Sequence, residues 1–332
     1  ERLVETEHTH HVQIQSNCTR WAELQECIRY HAQLAALLQI PTQFKFLNPA
    51  FAGVSCLGVA ELGPDMVEEE LTSLLHTIQN TSPSGVTPLT PHISDMYEMI
   101  QMVLLEKQQQ QPNGVGVPPE NQRVVVCLAT DGTPTDSMGY GGPQVQDAFT
   151  HALSYLIALP VTVIVRLCTN QDSVVQFYED QLDTHNASLD VLDDYTSEAR
   201  QIFQHNPWLT YGLALHRCRE GGLMVGSLIH ETWMDALDER PLTREELAFA
   251  LQLFLGIDVH HVNDWKRLMD KVQEKLSNEE KTWNPIHRRL TPWIDVKQLN
   301  RVYGPKQTTS WSFRMAIMVG FLAMLWWMMD AL

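Results

Sequence analysis

The chain has 332 residues, 44% hydrophobic and 19% charged, with 40 Asp and Glu against 23 Lys and Arg for a formal charge of −17. That length and apolar content are those of a globular protein with one large domain and a smaller one. The acidic balance excludes a nucleic-acid partner, because binding phosphate needs the opposite sign.

The acid is unevenly spread. Residues 264–306 carry ten Lys and Arg against six Asp and Glu, a basic stretch just before a hydrophobic C-terminus. Six cysteines, Cys18, Cys27, Cys56, Cys127, Cys168 and Cys218, are scattered without a Cys-x-x-Cys pair. They are expected to be reduced, buried thiols, with Cys127 and Cys168 in or beside core strands.

Residues 1–17 are polar, with His8, His10 and His11, and read as a solvated strand or arm. Apolar side chains recur at 21, 24, 28, 34, 35 and 38, which predicts an amphipathic helix over 19–38 with Thr19 as N-cap and Pro41 beyond its end. Short strands are expected at 42–47 and 54–59. A helix follows over 64–79, with Asp65, Glu68, Glu69 and Glu70 placed to suit the positive end of its dipole. After a loop, a second helix runs to about Lys107, and the Gln-rich, Pro/Gly-rich stretch 108–122 reads as a surface connector.

Arg123 to Ala129 is almost unbroken apolar and β-branched, as in a strand buried on both faces of a parallel sheet. It ends in Thr130-Asp131-Gly132, which puts a carboxylate at the carboxyl edge, where open α/β sheets bind ligands. A helix is predicted at 144–158, a buried strand at 161–167 and a helix at 172–184. Strands alternating with helices indicate βαβ units. Beyond about Leu192 the strand signal stops. Helices are expected at 194–205, 243–255 and 260–276, the second opened by Thr243 and Glu246 in capping-box spacing. Asp190, Asp193 and Asp194 are read as a solvated helix start rather than a cation site.

The last 22 residues differ from everything before. Met315 to Met329 carries no charge, and residues 311–332 as one helix would span about 33 Å, close to a bilayer core. Trp311, Trp326 and Trp327 fit interfacial belts, and Arg314 can reach the headgroups. A single-pass C-terminal anchor is therefore expected. The preceding Arg301, Lys306 and Arg314 place the large domain on the cytoplasmic, matrix or stromal side.

Two stretches, GVTPLTPHI (85–93) and VVVCLATDGTPTD (124–136), resemble the von Willebrand factor type A (integrin I-like) family over about residues 19–190. The resemblance implies a doubly wound, mostly parallel Rossmann-like sheet with a Mg²⁺-dependent adhesion site at its carboxyl edge. In that site Thr87 would match the family's threonine and Asp131 its aspartate. The family's Asp-x-Ser-x-Ser loop would stand just before the helix at Thr19 and occurs nowhere in the chain. Two oxygen ligands do not hold Mg²⁺ by themselves, so the expected site is incomplete and without bound metal.

The resulting organisation is a polar arm (1–17), a type A-like α/β domain (18–190), a helical region (191–310) and a transmembrane helix (311–332). The expected function is a non-enzymatic, membrane-anchored interaction module that meets a protein partner through Thr133, Thr135 and Asp136 beside Asp131. An alternative is a structural accessory subunit of a large membrane complex. A third reading, from a different class, is an enzyme built on His205, His216 and Arg219.

Overall fold

The computed structural model describes residues 2–5, 12–15, 19–109, 124–169, 171–184, 189–222, 233–234, 236–257 and 264–305. The histidines at 8, 10 and 11 and the expected membrane helix, with Trp311, Arg314, Trp326 and Trp327, lie outside these residues. No described helix is long and apolar enough to cross a membrane.

The described residues form a mixed α/β protein that divides into two compact units, one of residues 1–242 and 281–293, the other of residues 243–280 and 294–332. In the first unit, β1 (Arg2–Glu5) pairs antiparallel with β2 (Val12–Gln15). Helix α1 (Arg20–Leu38) opens where expected, with the Thr19 hydroxyl accepting from Ala22 N at 3.1 Å. Strands β3 (Thr42–Lys45) and β4 (Cys56–Val59) form an antiparallel hairpin. One turn of 3₁₀ helix (Pro64–Met66) leads into α2 (Val67–Asn80), and α3 (Leu89–Gln109) follows.

Next come β5 (Val124–Thr130), α4 (Pro143–Ile157), β6 (Val161–Leu167), α5 (Asp172–Thr184) and β7 (Leu189–Leu192). The three strands form one parallel sheet in the order β5-β6-β7. The unit continues through α6 (Tyr195–His205), α7 (Leu213–Glu220), α8 (Ala236–Glu239) and the hairpin of β8 (Thr282–Asn284) and β9 (Arg289–Thr291).

The expected single wound sheet is met in part. Three strands lie parallel, whereas β3 and β4 pair only with each other among the described residues. Residues 12–15, VQIQ, pair with β1 instead of joining β5; their alternating pattern lacks the continuous apolar run that burial on two faces requires. Two further expectations are corrected. Residues 189–192 form strand β7, so Asp190 lies in a strand, whereas Asp194 opens α6 as expected, accepting from Thr196 N at 3.0 Å; the region after 191 carries β8 and β9 as well as helices. Strands of three or four residues are too short to display a period.

Alternation along β6 explains how the sheet is covered. Val161, Val163, Val165 and Leu167 join Val126 and Leu128 of β5 in a core closed by Leu89 and Ile93 of α3, Phe149 and Leu153 of α4, and Tyr178 of α5. Thr162, Ile164 and Arg166 therefore face the other way. A smaller core packs Ala32 and Ala35 of α1 on Phe44, Leu57 and Val59 of the β3–β4 hairpin and Leu74 and Ile78 of α2.

The second unit comprises α9 (Arg244–Leu255), α10 (Trp265–Leu276) and α11 (Val296–Tyr303). The predicted capping box is present in full: Thr243 Oγ1 accepts from Glu246 N at 3.2 Å, and Thr243 N donates to the Glu246 carboxylate at 2.7 Å. Trp265 Nε1 donates to Asn300 Oδ1 at 2.6 Å, and Arg244 reaches the Tyr303 carbonyl at 2.7 Å.

Candidate functional site

The carboxyl edge of β5 gathers the residues that the sequence singled out. The chain turns at Gly132, whose carbonyl accepts the Tyr178 hydroxyl and the Thr130 hydroxyl, each at 3.0 Å. Because Tyr178 belongs to the core, this turn is anchored from beneath and holds Asp131 at its tip. The Asp131 side chain is 58% exposed and pairs with Arg20, the first residue of α1, at 3.5 Å. So open an ion pair contributes little stability.

Thr87 and Thr135 join two loops across this edge. Thr87 N donates to Thr135 Oγ1, Thr135 N donates to the Thr87 carbonyl, and both distances are 2.9 Å. A Cβ built on Gly132 would lie 4.0 Å from Thr87 Oγ1, so the threonine loop and the aspartate turn are direct neighbours.

Asp136 is spent inside its own loop. One carboxylate oxygen accepts from Met138 N at 2.8 Å and from Tyr140 N at 2.9 Å, while Asp136 N donates to the Tyr140 carbonyl at 2.9 Å. Gly139 has φ +88°, and a Cβ there would approach Val86 Cγ1 to 2.9 Å; the turn is thus closed by a residue without a side chain. The outcome is a preformed loop that presents Met138 and Tyr140, 75% and 70% exposed, in the segment that follows Asp131. Thr133, Thr135 and Asp136, expected to touch a partner, are all half-buried, and Thr135 and Asp136 also shape the surface through these bonds. The sequence reading missed Met138 and Tyr140, although two large side chains in a Gly-rich turn were the available signal.

A second polar assembly lies on the other face of the sheet. Arg166, in the middle of β6 and 1% exposed, donates to Glu23 of α1 at 2.6 Å, to Cys168 Sγ at 2.6 Å and to Glu220 of α7. Glu220 also accepts from Arg217 at 2.8 Å. Although burial pushes the other way, the Arg217 and Arg166 guanidiniums hold the Glu220 carboxyl well below its usual range. The His216 imidazole is pushed down by burial, and its Nδ1 meets the Tyr211 hydroxyl at 3.2 Å. Cys27 and Cys168 are buried as expected and Cys218 is half-buried, whereas Cys56 and Cys127 are exposed; Cys127 lies on the face of β5 away from the main core, with Val125, 40% exposed.

Arg219, on the same helix, gathers an excess of acid. It donates to Glu198 at 2.7 Å and lies 3.3 Å from Asp238 and 3.8 Å from Asp190. Three carboxylates around one buried guanidinium cannot all stay ionised without a net buried charge. Burial, opposed by Arg219 and reinforced by Asp238 and Asp190, pushes the Glu198 carboxyl up to about 8. Its folded value lies above its unfolded one, so the native state binds the extra proton between those values. Its contribution to stability is then fully present only below the ordinary carboxyl value of 4.5 and is lost progressively as pH rises from there to about 8. Denaturant melts should show a loss of about 1–3 kcal/mol between pH 5 and pH 9, and Glu198→Gln should flatten that slope.

His216 and Arg219 are thus both committed to partners inside the protein, and His205, at the end of α6, takes no part in their contacts. The two sites use different chemistry: an exposed rim of aspartate, arginine, methionine and tyrosine on rigid loops, and a buried network of paired charges. Comparison with known proteins brings no match, either to a family model, to a curated protein or to a solved structure.

Proposed function

We propose that this chain is a non-enzymatic interaction module, of type A-like doubly wound organisation, that binds a protein partner at the carboxyl edge of β5 and is held at a membrane by residues 311–332. The observation that carries the reading is the loop pinned by Asp136, which follows the Asp131 turn and offers Met138 and Tyr140 to solvent. Large side chains presented on a loop already fixed in shape lose little entropy on binding, the property of interface anchors. Arg20 reaching Asp131 supports recognition without bound Mg²⁺. The helix that would follow the missing Asp-x-Ser-x-Ser loop delivers a guanidinium to the carboxylate that a metal would otherwise neutralise. The same pairing favours, as a second reading, an accessory subunit whose partner is permanent, since no ion has to arrive first.

The full chain, tagged and isolated from its own membranes, should retain a protein partner in fixed stoichiometry after chelator treatment. Tyr140→Ala should weaken that association by about 2 kcal/mol, roughly thirtyfold, with the melting temperature unchanged. Deleting residues 311–332 should release the chain from membranes. Undiminished partner recovery with Tyr140→Ala, or a Mg²⁺-induced rise in melting temperature that Asp131→Ala removes, would overturn this assignment.

A further inference from the structure

Cys27 and His31 stand one helical turn apart on α1, and Glu220 closes α7. Cys27 Sγ, His31 Nε2 and a Glu220 carboxylate oxygen all lie within 4.8 Å of one another. The oxygen facing the thiol and the imidazole, Oε2, has three neighbours: Arg217 at 2.8 Å, His31 at 3.3 Å and Cys27 at 3.4 Å. A carboxylate oxygen offers about two lone-pair directions, so the guanidinium makes a good contact and the other two are long.

Those long contacts have the length of something else. In a tetrahedral zinc site, with Zn–S about 2.3 Å and Zn–N and Zn–O about 2.0–2.1 Å, neighbouring ligand atoms are about 3.3–3.6 Å apart. The His31–Glu220 and Cys27–Glu220 separations, hydrogen bonds in the absence of an ion, match edges of such a tetrahedron, and the third separation stays within 4.8 Å.

We propose that Cys27, His31 and Glu220 form a binding site for one zinc-class divalent ion, which ties α1 to the end of α7 and leaves its fourth position to water. The donor set selects the ion: sulfur, imidazole nitrogen and carboxylate suit zinc or cobalt and reject magnesium and calcium. The thiolate supplies one negative charge to the ion and the carboxylate another that it shares with Arg166 and Arg217, the thiol proton leaving to solvent as the S–metal bond forms. Outer partners of the carboxylate are already in place. Arg166 holds the other side of Glu220, and Arg217, whose guanidinium lies 6.0 Å from the Tyr30 ring centre, keeps one lone pair of Oε2.

The surroundings of the three side chains suit a ligand on Oε2. His216 Nε2, fully buried, lies 3.3 Å from Glu220 Oε1, the carboxylate oxygen that Cys27 and His31 do not use. Gly221, whose φ of −87° does not demand glycine, would bring a Cβ within 3.1 Å of His31 Cε1; a side chain there would press on the imidazole. His31 keeps 17% of its side chain exposed, which leaves an entry path.

The test is to strip the full chain with a chelator and titrate it with Co²⁺, then with Zn²⁺. Co²⁺ should produce a thiolate-to-cobalt charge-transfer band at one ion per chain, Zn²⁺ should bleach it, and both should raise the melting temperature while Mg²⁺ does not. Cys27→Ser should abolish the band. His31→Gln, at a partly exposed position that tolerates change, should weaken binding by at least about tenfold, since losing even an outer partner of a ligand costs that much. Asp131→Ala should leave the titration unaltered. A chain that takes up no Co²⁺, a band that survives Cys27→Ser, or unaltered affinity in His31→Gln would overturn the proposal. Should Cys27→Ser fail to fold, the His31→Gln titration decides alone.

Discussion

Replacing Arg166 by methionine is expected to destabilise the first unit by about 3–5 kcal/mol, the cost of breaking a buried ion pair from one side. Arg166 meets Glu23 at 2.6 Å and also Glu220, and all three residues are buried. Without the guanidinium two carboxylates remain out of water, with Arg217 bonded to only one of them. Arg166→Lys should recover little, because one ammonium cannot span two carboxylates and a thiol as a planar fork does. Urea denaturation of the single variants, and of Arg166→Met combined with Glu23→Gln, gives the coupling directly. The double variant should be less destabilised than the sum of its parts. A loss below about 1 kcal/mol for Arg166→Met would mean that the network is not held dry.

Asn206→Ala should cost a comparable amount, about 3–5 kcal/mol, for a different reason. Asn206 is 0% exposed and makes four hydrogen bonds. Its amide donates to the carbonyls of Leu237 at 2.8 Å and Arg240 at 2.9 Å. Its oxygen accepts from Trp208 Nε1 at 3.2 Å and Leu242 N at 3.1 Å. Alanine would take a hydrogen-bond partner from each of these groups, three of the four contacts being buried, which costs more than the bonds contribute when present. Asn206→Asp is the sharper probe, since a carboxylate can satisfy Trp208 and Leu242 but cannot donate to the two carbonyls. Both variants should lower the denaturation midpoint. An aspartate variant as stable as wild type would show that those carbonyls find other donors.

Elements whose cause is local were legible in the chain. Thr19 caps α1 and Thr243 with Glu246 boxes α9, because an N-cap needs only a side chain and an amide two or three residues on. The apolar run VTVIVRL is β6 over the residues expected, and α5 likewise spans 172–184. The rim was half legible. The strand-end position of Asp131 and the threonine loop could be named, but not that Thr135 bonds to Thr87 from 48 residues away. Nor could local reading show that Asp136 turns inward while Met138 and Tyr140 face solvent.

The buried network was not legible at all. An arginine in a strand otherwise read as core was itself the anomaly, for a buried charge must be paired. Its partners, however, stand 143 positions before it and 54 after it, and no period or spacing connects them.

What the sequence by itself determined, then, is a set of features fixed by contacts within a few residues: the starts of α1 and α9, the two longer strands, and a carboxylate at the end of β5. Only the tertiary structure decided which strands share a sheet, which face of β5 is left open at Cys127, and which carboxylates surround Arg166 and Arg219. Those outcomes depend on groups brought together from distant parts of the chain, and their energies come from removing water around them, which no local pattern records.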